Sequence, residues 1–313
     1  MAPIRVASFG ECMLELQGPA FGTLRQGQGG DTLNAAVYLA RCGRAAGIEV
    51  QYATALGDDG FSRAMAERWQ AEGVGTALVR RLPGRLPGLY WIETDAHGER
   101  RFSYWRDSAA ARSYFDTPPG QTPLEQAAES LGALHFSGIS LAILPPAGRQ
   151  RLLALAQRLR ERGACVAFDN NYRPRLWPGI ETAREAFAAA SRVATLALMT
   201  LDDEQALWGE PDADRQLAAT LALPAAEVVV KRGAASTLVR TAARERLEVP
   251  TEPVATVVDT TAAGDSFAGA YLAARLPGVP AAAAARAGNR LAARVVQHPG
   301  ALMPAAAMAD LTG

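Results

Sequence analysis

Residues 259–270 read Asp259-Thr260-Thr261-Ala262-Ala263-Gly264-Asp265-Ser266-Phe267-Ala268-Gly269-Ala270. They lie between an apolar run, Val254–Val258, that reads as a strand, and a helical pattern from Ser266 to Arg275. Small residues at 262–264 let the backbone approach a ligand closely. The following helix turns its first unpaired N–H groups toward the same point. A small-residue loop feeding a helix N-terminus is a cradle for a phosphate. Asp265 is out of place there as a binding group, because a carboxylate repels the anion. It is either an ordinary N-cap or a general base for a hydroxyl that attacks the phosphate held alongside.

Working outward, strand-like and helix-like segments alternate. Ile4–Phe9, Val50–Ala55, Leu134–Ser137, Val166–Asp169, Leu196–Thr200 and Val228–Lys231 are short apolar runs. Thr32–Cys42, Phe61–Glu72, Pro146–Arg162, Thr182–Ala190 and Ala281–Val296 carry apolar residues at helical spacing. This rhythm predicts right-handed crossovers and a mainly parallel sheet with helices on both faces. Leu89–Thr94 and Arg101–Trp105, two aromatic-rich runs around Asp95-Ala96-His97-Gly98, read as a β-hairpin. A hairpin has no place inside a doubly wound sheet. It is therefore expected to stand off the main domain as a flap, with Met13–Leu16 as a further strand. Its exposed aromatics need cover from a ligand or a second subunit. With no repeat and no Ser/Gly linker, residues 1–313 are expected to form one domain, with the flap drawn from about 11–17 and 86–107.

Composition narrows the classes. The 313 residues are 49% hydrophobic and 20% charged, which excludes a disordered chain. Lys+Arg and Asp+Glu are 32 each, so there is no electrostatic footprint for nucleic acid or an anionic membrane. Cys12, Cys42 and Cys165 are scattered, which argues against a disulfide framework or a zinc site. His97, His135 and His298 form no metal-spaced cluster. The N-terminus lacks an apolar h-region and no stretch is long enough to span a bilayer, so a cytoplasmic protein is expected. Lys231 is the single lysine of an arginine-rich chain, which marks it as a place where a compact ammonium is wanted.

The 259–270 stretch resembles the C-terminal D-T-x-G/A-A-G-D signature of the ribokinase-like (PfkB) sugar kinases. Gly29-Gly30-Asp31-Thr32-Leu33-Asn34-Ala35-Ala36 is similar to the family's N-terminal sugar-site glycine pair. Ala287-Gly288-Asn289 through Gly300-Ala301, with Pro304 beyond, is similar to its adenine-side segment. The resemblance follows family order over essentially the whole chain. It implies a ribokinase-like three-layer α/β sandwich with a small β-sheet lid. Gly10-Glu11-Cys12-Met13 and the segments 86–95, 104–112, 137–144, 168–177, 201–209 and 228–234 narrow it to kinases of a six-carbon 2-keto-3-deoxy sugar acid.

The resemblance implies ATP and Mg²⁺ as cofactors and Asp265 as the base. The amides of Ala262, Ala263 and Gly264 would form the anion hole, with Ala262 and Gly264 also touching ATP. Gly30, Asp31, Asn34, Tyr90, Tyr104, Asn171 and Arg173 would hold the sugar. Arg106 would present its planar fork to the substrate carboxylate. Arg173 would lie between sugar and phosphates. Lys231, Gly233, Ser236 and Asn289 would serve the nucleotide. The family's N-x-x-E motif is altered, with Leu201 where asparagine would fall and Glu204 retained, so Glu204 would reach the metal through water. A homodimer or higher homo-oligomer through the lid is expected. The rival readings are a kinase for a neutral sugar and a non-catalytic sugar-acid sensor on the same fold. A dinucleotide oxidoreductase is disfavoured, because no GxGxxG follows the first strand. The C4 epimer stays open.

Overall fold

The structure, a computed structural model, describes residues 3–94 and 100–311. Its strands are β1 (Ile4–Phe9), β2 (Met13–Gln17), β3 (Arg25–Gly29), β4 (Ile48–Leu56), β5 (Val74–Gly75), β6 (Val79–Arg81), β7 (Leu89–Thr94), β8 (Arg100–Trp105), β9 (Ala133–Ser137), β10 (Cys165–Asp169), β11 (Leu196–Thr200), β12 (Glu227–Arg232), β13 (Ala235–Arg240) and β14 (Arg246–Val249). Its helices are α1 (Asp31–Gly43), α2 (Gly60–Ala71), α3 (Pro123–Ala127), α4 (Gly138–Ile143), α5 (Pro146–Glu161), α6 (Ile180–Val193), α7 (Leu201–Trp208), α8 (Ala213–Leu221), α9 (Ala263–Arg275) and α10 (Ala281–Val295).

The main sheet runs β14-β13-β12-β11-β10-β9-β1-β4-β5, with β6 also on β4. From β12 to β5 the neighbours are parallel. Both faces are covered, as a parallel sheet requires. Ala7, Phe9, Leu134, Phe136, Val166, Phe168, Val228 and Val230 pack beneath α4 to α8. The alternate residues Val6, Ala133, Ala167, Leu198 and Val229 pack beneath α1, α2, α9 and α10. Helices α1 and α9 lie in close contact because Gly269 has no side chain. A Cβ there would come within 2.7 Å of the Ala35 carbonyl.

A second, four-stranded sheet runs β3-β2-β7-β8 and forms the lid. The hairpin strands appear where the aromatic alternation places them, with Tyr90 opposite Tyr104. The tip at Asp95-Ala96-His97-Gly98 lies outside the described residues. The lid is larger than its sequence suggested. Gln- and Gly-rich β3 carries no strand pattern, yet it pairs with β2 in register Met13 to Gly29.

Two expectations are corrected. Val254–Val258 is not a strand: residues 250–262 are irregular, and Val257 and Val258 are exposed. The segment is tied down from outside by Val258 and Asp259 N–H groups donating to the Val296 carbonyl. The exclusion of hairpins from the main sheet also fails. β12, β13 and β14 form an antiparallel meander at one edge. Turn residues Gly233 and Ala234 reverse the chain there, with Gly233 at φ +59°. Among the described residues no helix is long and apolar enough to cross a membrane.

Candidate active site

Strand periodicity builds the floor of the site. Two residues beyond the buried Val6, Ala133, Ala167, Leu198 and Val229, the same sheet face carries Ser8, His135, Asp169, Thr200 and Lys231. Side chains two apart share a face, so five neighbouring strands end in a row of polar groups at their carboxyl ends. That is where open α/β sheets place their ligands. Ser8 Oγ donates to the Thr32 carbonyl and lies 2.9 Å from His135 Nδ1, anchoring the start of α1. Burial holds the His135 imidazole below its usual range. Lys231 Nζ donates to Asp169 Oδ2 at 3.0 Å, and both are buried. The one lysine thus stands inside the polar row.

Over this floor two helix N-termini meet. Helix α9 begins at Ala263, three residues earlier than its periodicity suggested. Its N-cap is Ala262, at φ +61° in the left-handed region. Asp265 therefore sits in the first helical turn, and the N-cap explanation for it falls. Its carboxylate accepts from Asn34 Nδ2 of α1 at 2.9 Å. Burial and the neighbouring Asp31 carboxylate push Asp265 up to about 7, against the Asn34 hydrogen bond. Asp169 adds to the rise and Lys231 opposes it. A Cβ built on Gly264 would lie 3.4 Å from Lys231 Nζ, so the ammonium adjoins the small-residue cradle. Gly30 has no room for a side chain, since a Cβ would come within 2.2 Å of the Glu11 carbonyl. Asp31 Oδ2 accepts from Asn171 Nδ2 at 2.6 Å, and Asn171 holds a positive φ of 27°.

The lid supplies the roof. Tyr90, Phe102 and Tyr104 form one run of adjacent rings. Tyr90 is buried and its phenol donates to Glu15 Oε2, whereas Tyr104 is exposed. Arg106 lies just past β8, buried, with Nη2 donating to Glu11 Oε2.

The remaining predicted residues divide. Arg173 is exposed beside the cluster, with Nη1 on the Tyr172 carbonyl at 2.7 Å and Asp203 at 3.5 Å. Burial raises Asp203, with Arg173 the main opposing charge. Glu204 is 3% exposed, and its two oxygens accept from Asn170 Nδ2 and Trp208 Nε1. Gly233 and Ser236 flank the β12–β13 turn. Asn289 is turned inward. Its amide donates to the Val249 and Pro250 carbonyls and its oxygen accepts from Thr237, so the side chain fastens α10 to the β13–β14 edge.

Sequence reasoning missed Asn170, Asp169, Glu11 and Glu15. Asn170 holds Glu204: its amide spans the Thr200 carbonyl and Glu204, and its oxygen accepts from the Thr200 and Asn171 N–H groups. The signal for Asp169 was in the sequence, as a charged residue two past the buried Ala167 of an apolar strand.

The pfkB family carbohydrate kinase model matches residues 4–307. The chain is 48% identical over 310 residues to 2-dehydro-3-deoxygluconokinase of Dickeya dadantii (strain 3937), covering 98% of this chain and 99% of that protein. Its fold is similar to the crystal structure of 2-dehydro-3-deoxygluconokinase from Thermotoga maritima, with a TM-score of 0.80 and 23% identity over 99% of this chain and 98% of that one. It is also similar to fructokinase from Xylella fastidiosa with bound ATP, with a TM-score of 0.81 and 24% identity over 98% and 97%.

Proposed function

The chain belongs to the pfkB family of carbohydrate kinases, and from that premise we propose that it transfers the γ-phosphoryl group of ATP to the 6-hydroxyl of 2-dehydro-3-deoxygluconate, giving the 6-phosphate and ADP. The observation that carries this reading is the Asn34–Asp265 contact. It brings the sugar-side helix and the phosphate cradle to one point, with Lys231 adjoining. An ADP-release assay over both C4 epimers of the keto-deoxy acid and a set of neutral sugars tests it. Turnover only with neutral sugars, or none with any, overturns it.

In this reading Asp265 takes the hydroxyl proton while the hydroxyl oxygen attacks phosphorus. A carboxylate near neutrality suits that task, being ionised at working pH yet basic enough to accept the proton. The N–H groups at Ala262, Ala263 and Gly264 and the Lys231 ammonium stabilise charge on the phosphoryl group in transit. Gly30, Asp31, Asn34 and Asn171 receive the sugar hydroxyls, and Arg106 its carboxylate. Tyr90 and Tyr104 close over the ring and exclude water. Arg173 reaches toward both sugar and phosphates. Gly233 and Ser236 line the nucleotide side; Asn289 acts there by holding the strand edge, since its amide is already engaged.

Magnesium is expected with the nucleotide, where it neutralises phosphate charge. Among the described residues no group of three ligating side chains gathers to hold a metal by itself. That fits an ion carried on phosphates with most of its waters retained. Asp203 offers a partly accessible carboxylate for those waters, while buried Glu204 supports the site through Asn170. Because the proposed reaction consumes ATP, we propose a cytoplasmic location. We also propose a single kinase domain with the lid inserted, and a homodimer through the lid. Trp105 is 59% exposed on the lid face opposite Tyr104, where a sugar cannot cover it.

A further inference from the structure

Among the described residues, carboxylates paired with arginine differ in how fully their oxygens are used. Glu227 accepts from Tyr271 and from both Nε and Nη2 of Arg275, so both of its oxygens are satisfied. Glu125 likewise uses both oxygens, on Arg151 and Thr122. Such pairs hold structure together. Glu11 differs. It is 2% exposed, and only its Oε2 is engaged, by Arg106 Nη2. Its Oε1 is buried without a hydrogen-bond partner among the described residues. That oxygen lies against Gly88, where a Cβ would meet it at 2.6 Å. Burial raises the Glu11 carboxyl and the Arg106 charge opposes the rise. An unsatisfied buried oxygen costs stability, so the pair is poorly explained as a fastening.

The placement suggests another task. Glu11 follows β1 immediately after Gly10, at the strand end that faces the site. Arg106 lies just past β8, at the end of the lid. Among the described residues Glu11 is the one hydrogen-bond partner of the Arg106 guanidinium. The carboxylate therefore takes one corner of the guanidinium fork and leaves the other edge uncommitted. We propose that Glu11 is a positioning residue for acid recognition: it aims the open edge of the Arg106 fork at the substrate carboxylate, so selection of acidic over neutral sugars depends on a residue that touches neither substrate. This inference rests on Arg106 being the carboxylate partner. Glu11 also offsets the Arg106 charge, which disfavours adventitious anions that cannot match the planar edge.

The test compares the keto-deoxy acid with its reduced, carboxylate-free analogue in the parent enzyme, Glu11→Gln, Arg106→Ala and the double variant. Glu11→Gln is expected to lower kcat/KM for the acid about tenfold, mainly through KM, while the analogue changes less than about twofold. In the Arg106→Ala background the same change is expected to add nothing on the acid. An equal loss on both substrates, no loss on the acid, or a full tenfold loss without Arg106 overturns the proposal. If Glu11→Gln does not fold, Glu11→Asp keeps the charge with shorter reach. A partial loss confined to the acid supports the proposal, and parent-like selectivity overturns it. Should Arg106→Ala itself affect acid and analogue equally, the Arg106 reading fails first, which separates the two failures.

Discussion

The main sheet and the lid hold their site residues by opposite means. In the main sheet, Asp169, Lys231, Asn170 and Asn34 stand at the ends of elements packed on both sides, and each is fixed by neighbours from other elements. The lid has a small apolar cluster of Met13, Tyr90 and Ile92, while Phe102, Tyr104 and Trp105 are exposed. Arg106 and Tyr90 are each steadied by a carboxylate, Glu11 on the connection from β1 and Glu15 on β2. Under the proposed function, the difference teaches that transfer chemistry would rest on the doubly packed body, and substrate choice on a thin sheet anchored by polar contacts. Breaking the first should lose rate on every substrate; breaking the second should lose discrimination.

The sharpest break is Asp265→Asn. Loss of the base should lower kcat by about 10²–10⁴-fold or more on any sugar while ATP binding, followed by calorimetry, is nearly retained. Turnover near the parent's would remove Asp265 from the mechanism. On the lid, Arg106→Ala should lower kcat/KM for the acid by about ten- to over a hundredfold, the effect of removing a bidentate charged contact. Arg106→Lys should recover part of this, because an ammonium keeps the charge without the planar fork. A neutral analogue should be nearly indifferent to either change.

Protonation offers a third, milder probe. With Asp265 at about 7 in the folded protein, kcat/KM should rise about tenfold from pH 6 to pH 8, since the base must be ionised. The linked stability term has the opposite sign. The folded state keeps the proton at pH values where the unfolded chain has released it, so this site costs stability as pH rises from 3.8 to about 7. Asp265→Asn should therefore melt progressively above the parent between pH 5 and about 8 by calorimetry. The smallest effect is expected from Trp105→Ser. It should shift sedimentation from dimer to monomer at micromolar protein, with only a few-fold change in turnover on any sugar. A parent that is already monomeric with the lid ordered would rule out the lid as an interface.

How far the sequence was legible follows the same division. Main-sheet strands announce themselves as short apolar runs, and 259–270 declares a cradle by composition alone. β3 does not, because Arg25-Gln26-Gly27-Gln28-Gly29 owes its strand to pairing with β2 rather than to any propensity of its own. Val254–Val258 erred the other way, apolar enough for a strand yet with no neighbour to pair with. Asp265 and Lys231 stand out from local pattern, whereas Arg106 and the role of Asp265 as a base come from the family resemblance. Glu11 and Asp169 could not be assigned partners, since their bonds reach across 95 and 62 residues. The resemblance alone implies a nucleotide-side role for Asn289; the Val249 and Pro250 carbonyls that hold its amide lie 40 and 39 residues away, beyond the reach of local pattern.

The left-handed turn at Ala262 has a consequence for when the ordering of the cradle is charged. A residue with a Cβ held at φ +61° costs about 1–2 kcal/mol in the folded chain, which glycine would avoid. The same Cβ narrows the range of shapes open to the loop before folding. Folding thus absorbs an entropy loss that a more flexible loop would defer until nucleotide arrived. In the proposed reaction the phosphate would meet amides already aimed, without a wait for the loop to rearrange.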